Sequence, residues 1–281
     1  MALRVNTNIE AINVHNNLLT SSNKVAESLK RLSSGKRINA AKDHASGLSV
    51  ANNFRAKISS MRVASQNATE AISMLQVADG AYSKITDILI RMRDLATQAA
   101  SGQTEQRDKL QKEFEALQGE INRIAGSTKY GDMTLTGGDP TGTTYTFQVG
   151  SGVSPEYDAL SISFGSVCTG ALKVAATGPE SISIGLPESA TSAMAAIDKA
   201  LSSMNVYMAN IGAYQNRLQY TIENLAVSIE NFAASESAIR DADMAYEMTQ
   251  FTRNQILQQT GIAMLSQANQ APQQLMQLIN Q

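Results

Sequence analysis

A mainly α fold is predicted: a long antiparallel helical coiled-coil bundle with N- and C-terminal helices paired, plus a small central β-hairpin unit. Three observations predict it. Apolar residues recur at alternating steps of three and four over most of the chain, which is helical and coiled-coil spacing. Proline stands only at 140, 155, 179, 187 and 272, so the stretches before 140 and from 188 to 271 are free to run as helix. Tryptophan is absent and aromatics make up 5% of the 281 residues. Alanine, leucine, isoleucine and methionine fill the positions where a compact enzyme places rings, which suits thin helical layers.

Five segments follow in order. Residues 1–45 hold a terminal helix, striped by Val5, Ile9, Ile12, Asn16 and Leu19, and then a glycine-broken basic connector, SGKRINAAKDHASG. Residues 46–130 hold two bundle helices. One seam passes through Ile58, Met61, Ser65, Ala68, Ile72, Leu75, Asp79 and Tyr82 and continues to Met92; another passes through Leu110, Phe114, Leu117, Ile121 and Ile124. The intervening ASGQTEQRD reads as a turn with Thr104 as N-cap, and Glu105 and Asp108 in the first helical turn, where the helix dipole favours acids.

Residues 131–190 change character. Gly-Asp and Gly-Gly-Asp-Pro turns border short β-branched stretches, and ALSISFG and SISIGL look like further strands of a small β unit. Residues 191–239 contain the strongest seam: Ile197, Leu201, Met204, Met208, Ile211, Gln215, Leu218, Ile222, Leu225, Ile229, Phe232, Glu236 and Ile239. At about 1.5 Å per residue this predicts a rod of roughly 65 Å. Residues 240–281 hold a second connector and a terminal helix striped by Ile262, Leu265, Asn269, Pro272, Met276 and Ile279. Neither terminal stripe has enough apolar surface to fold alone. From Gln258 onward there is no charged side chain. Such a tail is expected to be disordered before assembly or buried against copies of itself.

Net charge is −2, unevenly distributed. Arg4, Lys24, Lys30, Arg31, Lys36, Arg37 and Lys42 face only Glu10 and Glu27 at the start, whereas Glu223, Glu230, Glu236, Asp241, Asp243 and Glu247 face only Arg240 near the end. The basic arm lacks the interleaved aromatics of a nucleic-acid binder, so pairing of the two ends is expected and no nucleic acid. No apolar run approaches a spanning helix and no cleavable leader is visible, so membrane insertion is not expected. The single Cys168 excludes an intramolecular disulfide.

Asp43, His44 and Ser46 have the residue types of a hydrolytic triad. Neighbours on a helix point about 100° apart, so these do not converge on one atom, and a joint is the favoured reading. His15 has no metal-ligand spacing around it, and Gly35-Lys36 lacks the phosphate-loop pattern. No cofactor, no metal and no enzymatic activity are expected.

ALRVNTNIEAINVHNNL, RLSSGKRINAAKDHASGLSVANNFRAKI, LIRMRDLATQAASG and SESAIRDADMAYEMTQFTRNQILQQTGIAMLSQANQAPQQLMQLI resemble bacterial flagellin, over residues 1 to about 130 and 190 to 281. The resemblance implies a secreted, extracellular subunit of the flagellar filament that polymerises with itself. It implies that Val5, Ile9, Ile12, Leu19, Ile262, Leu265, Met276 and Ile279 form an inner tube. Lys36, Arg37, Asn39 and Asp43, with Asp241 and Asp243, would form two spokes whose charges pair. It further implies unfolded export through a type III apparatus, an export chaperone gripping the C-terminal helix, contact with the filament cap and the hook-filament junction proteins, and recognition by a vertebrate Toll-like flagellin receptor. The matching receptor and inter-subunit surface is Arg91, Leu95 and Glu113. A hook-filament junction relative shares the terminal pattern and is the alternative within the class; a hydrolase using Ser46 is the alternative outside it.

Overall fold

The computed structural model describes residues 8–101, 107–137, 142–175 and 182–279, with 271–279 as backbone alone. Val5 and the Thr104 cap lie outside the described residues, as do the side chains of Met276 and Ile279. The chain divides into two compact units: Met1–Ala56 with Asn231–Gln281, and Lys57–Glu230. Helices α2 (Ala45–Ala100) and α5 (Pro187–Arg240) each contribute to both.

In the first unit, α1 (Ile9–Ser34) begins where the Asn8 side chain accepts the Ala11 amide and ends at Gly35, whose φ of 66° is the left-handed stop that glycine adopts freely. It packs against α6 (Met244–Ile279). Asn8 donates to the Ala268 carbonyl, Leu18 lies against Gly261, and Arg31 reaches Glu247, so the two helices run antiparallel. Alongside them, the first turns of α2 meet the last turns of α5 through Phe54 and Phe232, with ring centroids 5.5 Å apart.

The second unit holds the core. Along α5 the predicted seam is present with a regular alternation: Ile197, Met204, Ile211, Leu218 and Leu225 are buried at every seventh position, and Leu201, Met208, Gln215, Ile222 and Ile229 between them are half-buried. The body of α2 runs antiparallel to it, as the Tyr82–Tyr207 stack and the Arg93–Asp198 ion pair show. Its buried stripe is broader than the sequence suggested and includes Ala64, Ala68, Ala71 and Ala78, while Ser65, Ile72 and Asp79 are half-buried at its margin. Helix α3 (Arg107–Ser127) adds Phe114, Ile121 and Ala125 to the same cluster.

A β hairpin covers one side of this cluster. Strands β1 (Lys129–Tyr130) and β2 (Met133–Thr134) form a minimal antiparallel pair turned at Gly131. Strands β3 (Thr143–Gln148) and β4 (Ala159–Phe164) pair over their full length, with the single turn α4 (Pro155–Asp158) inside the loop between them. Period-2 alternation sends Leu160, Ile162 and Phe164 into the core and leaves Ser161 and Ser163 outside. The predicted strand in SISIGL is not formed: residues 182–186 are irregular. Ile184 is buried with Ile182 half-buried against the same core, and the Ile184 amide donates to the Gln111 side chain instead of to a neighbouring strand.

Candidate assembly surface

The α1–α6 pair has two apolar faces, one turned to the partner helix and one turned out. Its mutual seam is built from Asn8, Ala11, Val14, Leu18, Ser21, Val25, Ser28 and Leu32 on α1, against Glu247, Phe251, Asn254, Gln258, Gly261, Leu265 and Ala268 on α6, all half-buried or buried. Ser28, Glu247 and Asn254 are its most enclosed members. Val14, Leu18, Val25, Leu32, Phe251 and Leu265 therefore share the space between the helices with small and polar side chains. A second set of large apolar side chains points away: Ile9, Ile12, Leu19 and Leu29 on α1, and Met244, Met248, Ile256, Leu257, Ile262 and Met264 on α6, are each about half exposed or more. The predicted Ile9, Ile12 and Leu19 stripe is thus not the intrachain contact, which lies about one residue round the helix. Ile262 is exposed with it, and Leu265 is half-buried at the seam.

Burying Glu247 needs a counter-charge, and Arg31 supplies it at 2.9 Å while also holding Glu27 at 2.7 Å. The Glu247 hydrogen bond holds the Arg31 guanidinium more basic than usual, against the effect of burial. This is the link between the basic start and the acidic end of the chain.

The two predicted spokes do come together, but through backbone. Arg37 and Ile38 amides donate to the Arg240 carbonyl at 2.7 and 3.4 Å, the Ala242 amide donates to Gly35, and Lys36 and Asp241 form an antiparallel bridge. The Arg37 guanidinium donates to the Ile239 carbonyl at 2.6 Å. Neither Lys36 nor Arg37 forms an ion pair with Asp241 or Asp243 among the described residues. Each acid has a local task instead. Asp243 accepts the Ala245 and Tyr246 amides as the N-cap of α6. Asp43 accepts the amides of Ala40 and Asn39, which hold its carboxyl below the ordinary carboxylate range. Asn39 closes the same loop by donating to the Lys36 carbonyl.

This loop is not a triad. His44 Nδ1 accepts the Gly47 amide at 2.8 Å, and the Asp43 carboxylate is turned to its own loop rather than to the imidazole. Among the described residues there is no cluster of His, Cys, Asp and Glu able to hold a metal ion, and no helix long and apolar enough to cross a membrane.

In the second unit, Arg91 and Glu113 pair across α2 and α3 at 2.7 Å and both are exposed. Leu95 does not share that surface. It is 1% exposed, because α2 turns it inward with Met92, Ala96 and Ala99, so the expected receptor surface is corrected at that residue.

Two family models match this chain. The bacterial flagellin N-terminal helical region covers residues 5–139, and the bacterial flagellin C-terminal helical region covers residues 194–279. The chain belongs to the bacterial flagellin family. A flagellin from Halalkalibacterium halodurans is 40% identical over 98% of this chain and 99% of its own length. A flagellar filament 33 kDa core protein from Treponema phagedenis is 39% identical over 98% and 99%. The structure of a putative flagellar hook-associated protein from Vibrio parahaemolyticus has the same helical fold, with a TM-score of 0.57 at 12% identity, over 71% of this chain and all of that one.

Among the described residues between the two matched regions, this flagellin carries the β3–β4 hairpin and its flanks, docked by specific contacts. Tyr82, whose phenol burial, with Tyr207 beside it, holds well above the ordinary tyrosine range and so protonated, donates to the Gly165 carbonyl at 2.9 Å. Asn67 donates to the Gln148 carbonyl, and Asn122 accepts both the amide and the hydroxyl of Thr169. Gly165 is required by the close approach of the Tyr207 ring, which a Cβ there would meet at 2.4 Å.

Proposed function

We propose that this chain is a structural, non-catalytic subunit of a bacterial flagellar filament, and that it polymerises by burying the outward faces of α1 and α6 against other copies. One observation carries this reading: beyond the seam that the two helices share, isoleucine, leucine and methionine side chains of both are about half exposed, and an apolar face of that size is stable only when something covers it. A second copy presents the same faces, and repeating that contact along a tube offsets the ordering entropy that neither helix meets alone. In this reading Val5, Ile9, Ile12, Leu19, Ile262, Leu265, Met276 and Ile279 belong to the inner tube. The paired connectors at Lys36–Asn39 and Asp241–Asp243 are the spokes, held by backbone bonds.

The finer features follow from family membership together with this surface. The subunit is secreted, passing the type III apparatus as an unfolded chain, and meets the cap and the junction proteins at the filament ends. An export chaperone covers the C-terminal helix before assembly, over the uncharged tail from Gln258 and the exposed Met248, Ile256 and Leu257 that precede it. A Toll-like flagellin receptor reads the exposed Arg91 and Glu113 on a free subunit, without Leu95.

Electron microscopy of the purified chain after salt-induced assembly tests the central claim, beside a version lacking residues 1–30 and 255–281. Filaments from the whole chain and none from the trimmed one are expected. A whole chain that stays monomeric when seeded would refute it.

A further inference from the structure

The methionines divide by exposure. Met61, Met74, Met92 and Met204 lie in the seams of α2 and α5 and are at most 5% exposed, whereas Met244, Met248 and Met264 on α6 are 47%, 50% and 58% exposed. Met248 lines a shallow hollow on α6 together with Ile256 and Leu257. Apolar packing does not by itself call for sulfur there, because Ile256, Leu257 and Ile262 present hydrocarbon on the same helix. A thioether adds adaptable packing, and it adds a reactive atom that isoleucine and leucine lack.

We propose that Met244, Met248 and Met264 are oxidation sites of the free subunit, and that their conversion to sulfoxide by a hydroperoxide holds the chain out of assembly until the sulfoxides are reduced. The proposal rests on the reading that the outward face of α6 is buried in the polymer. In the step, the thioether sulfur attacks the terminal oxygen of the hydroperoxide. The O–O bond breaks as the S–O bond forms, and the remaining oxygen leaves with the proton as water or an alcohol. Sulfur gives up two electrons and the peroxide takes them. The product is a polar group that accepts hydrogen bonds. Water supplies the donors on a free chain. In an apolar interface the sulfoxide oxygen loses them, and the backbone amides of α6 are committed to the helix. Reaction requires contact with peroxide in solvent, so exposure orders the rates and the seam methionines are protected. Burial in the polymer moves the three α6 methionines into the protected set, which confines the sensitivity to the unassembled chain. Reductases specific for each sulfoxide epimer reverse the change.

The test treats the full chain with dilute hydrogen peroxide, once before and once after assembly, and maps the sulfoxides by peptide mass spectrometry. In the free chain Met244, Met248 and Met264 should be modified ahead of Met61, Met74, Met92 and Met204, and in the filament they should be spared. The oxidised chain is then assembled over a concentration series, as it is and after treatment with both reductases. A variant carrying Met244→Leu, Met248→Leu and Met264→Leu is treated alongside; it keeps the apolar volume and retains the exposed Met133 and the half-buried Cys168 as controls. The critical concentration should rise at least about fivefold for each sulfoxide buried without a partner, and return on reduction. It should not respond to peroxide in the variant, and circular dichroism of the free chain should be unchanged by oxidation. Equal modification in filament and free chain would overturn the proposal, as would a variant as sensitive as the wild type or a loss of helicity on oxidation. The reductase arm needs no variant, and failure of reduction to restore assembly overturns the proposal as well. An untreated chain that never assembles refutes the polymer reading and this proposal with it. An untreated chain that assembles beside an oxidised one that assembles equally well refutes this proposal alone.

Discussion

Replacing Ile12 and Ile262 by alanine should raise the critical concentration for assembly while leaving the free chain intact. Ile12 is 53% exposed and Ile262 is 56% exposed, so about half the burial of each side chain is still to be gained. Isoleucine to alanine removes three carbons, at about 0.8 kcal/mol per buried methylene, so the half not yet buried is about 1.2 kcal/mol at each site. Together the two changes cost about 2.4 kcal/mol per added subunit, a rise of about 50-fold in critical concentration. Alanine is also the better helix former, so helicity of the free chain should hold or increase. Sedimentation over a concentration series reads the first quantity and circular dichroism the second. A critical concentration within about twofold of the wild type would refute the claim that these faces are buried in the polymer. A loss of helicity in the free chain would show that they pack within one copy.

Three further outcomes are expected. Ile211→Ala empties a buried seam position on α5 and should cost about 2–5 kcal/mol, read as a lower urea midpoint with an unchanged slope. Gly165→Ala drives a Cβ to within 2.4 Å of the Tyr207 ring and disturbs the Tyr82 hydrogen bond beside it, for a loss of about 1–3 kcal/mol in the same assay. The depressed Asp43 carboxyl stabilises the connector fully at neutral pH and loses that contribution as pH falls below 3.8 and through its lower folded value. Asp43→Asn should therefore flatten thermal stability across that acidic window, and an unchanged acid profile would show that the loop does not depend on the charge.

The long seam on α5 was legible because large branched residues alternate with polar ones over many turns, and burial follows the same register from Ile197 to Leu225. On α2 the signal was blurred by composition. Ala64, Ala71 and Ala78 are buried but contrast weakly with their neighbours, so the stripe appeared narrower and slightly rotated. SISIGL misled for a different reason: its β-branched alternation suits a strand, but the Ile184 amide found a side-chain acceptor in Gln111, a tertiary partner no local pattern predicts. The spokes were legible as a meeting place, yet charge alone suggested side-chain pairing. The residue types do not reveal that Asp43 and Asp243 are needed as caps, or that backbone carbonyls are close enough to do the joining. The Arg31–Glu247 pair was hidden because its partners lie far apart in sequence and nothing near Glu247 marks it as buried.

The reading of α1 and α6 contains the more general point. An apolar stripe at helical spacing is normally assigned to the nearest intrachain core, and for the bundle helices that assignment holds. For the terminal helices the same spacing marks the face left uncovered, while a second, smaller apolar set shares the seam with serines, asparagines and a glycine. What separates the two cases is the residue opposite. In α5 one seam is buried at every seventh residue, and the exposed Val206, Tyr220 and Val227 outside it are too widely spaced to make a second continuous face, so only one face is the core. In α1 the face beside the Ile9–Ile12–Leu19 stripe offers Val14, Leu18, Val25 and Leu32, enough to hold one helix partner and leave the larger stripe free. A chain with two usable faces on each terminal helix has a partner within itself and a valence left over, and valence left over at both ends of a sequence is what an extended polymer requires.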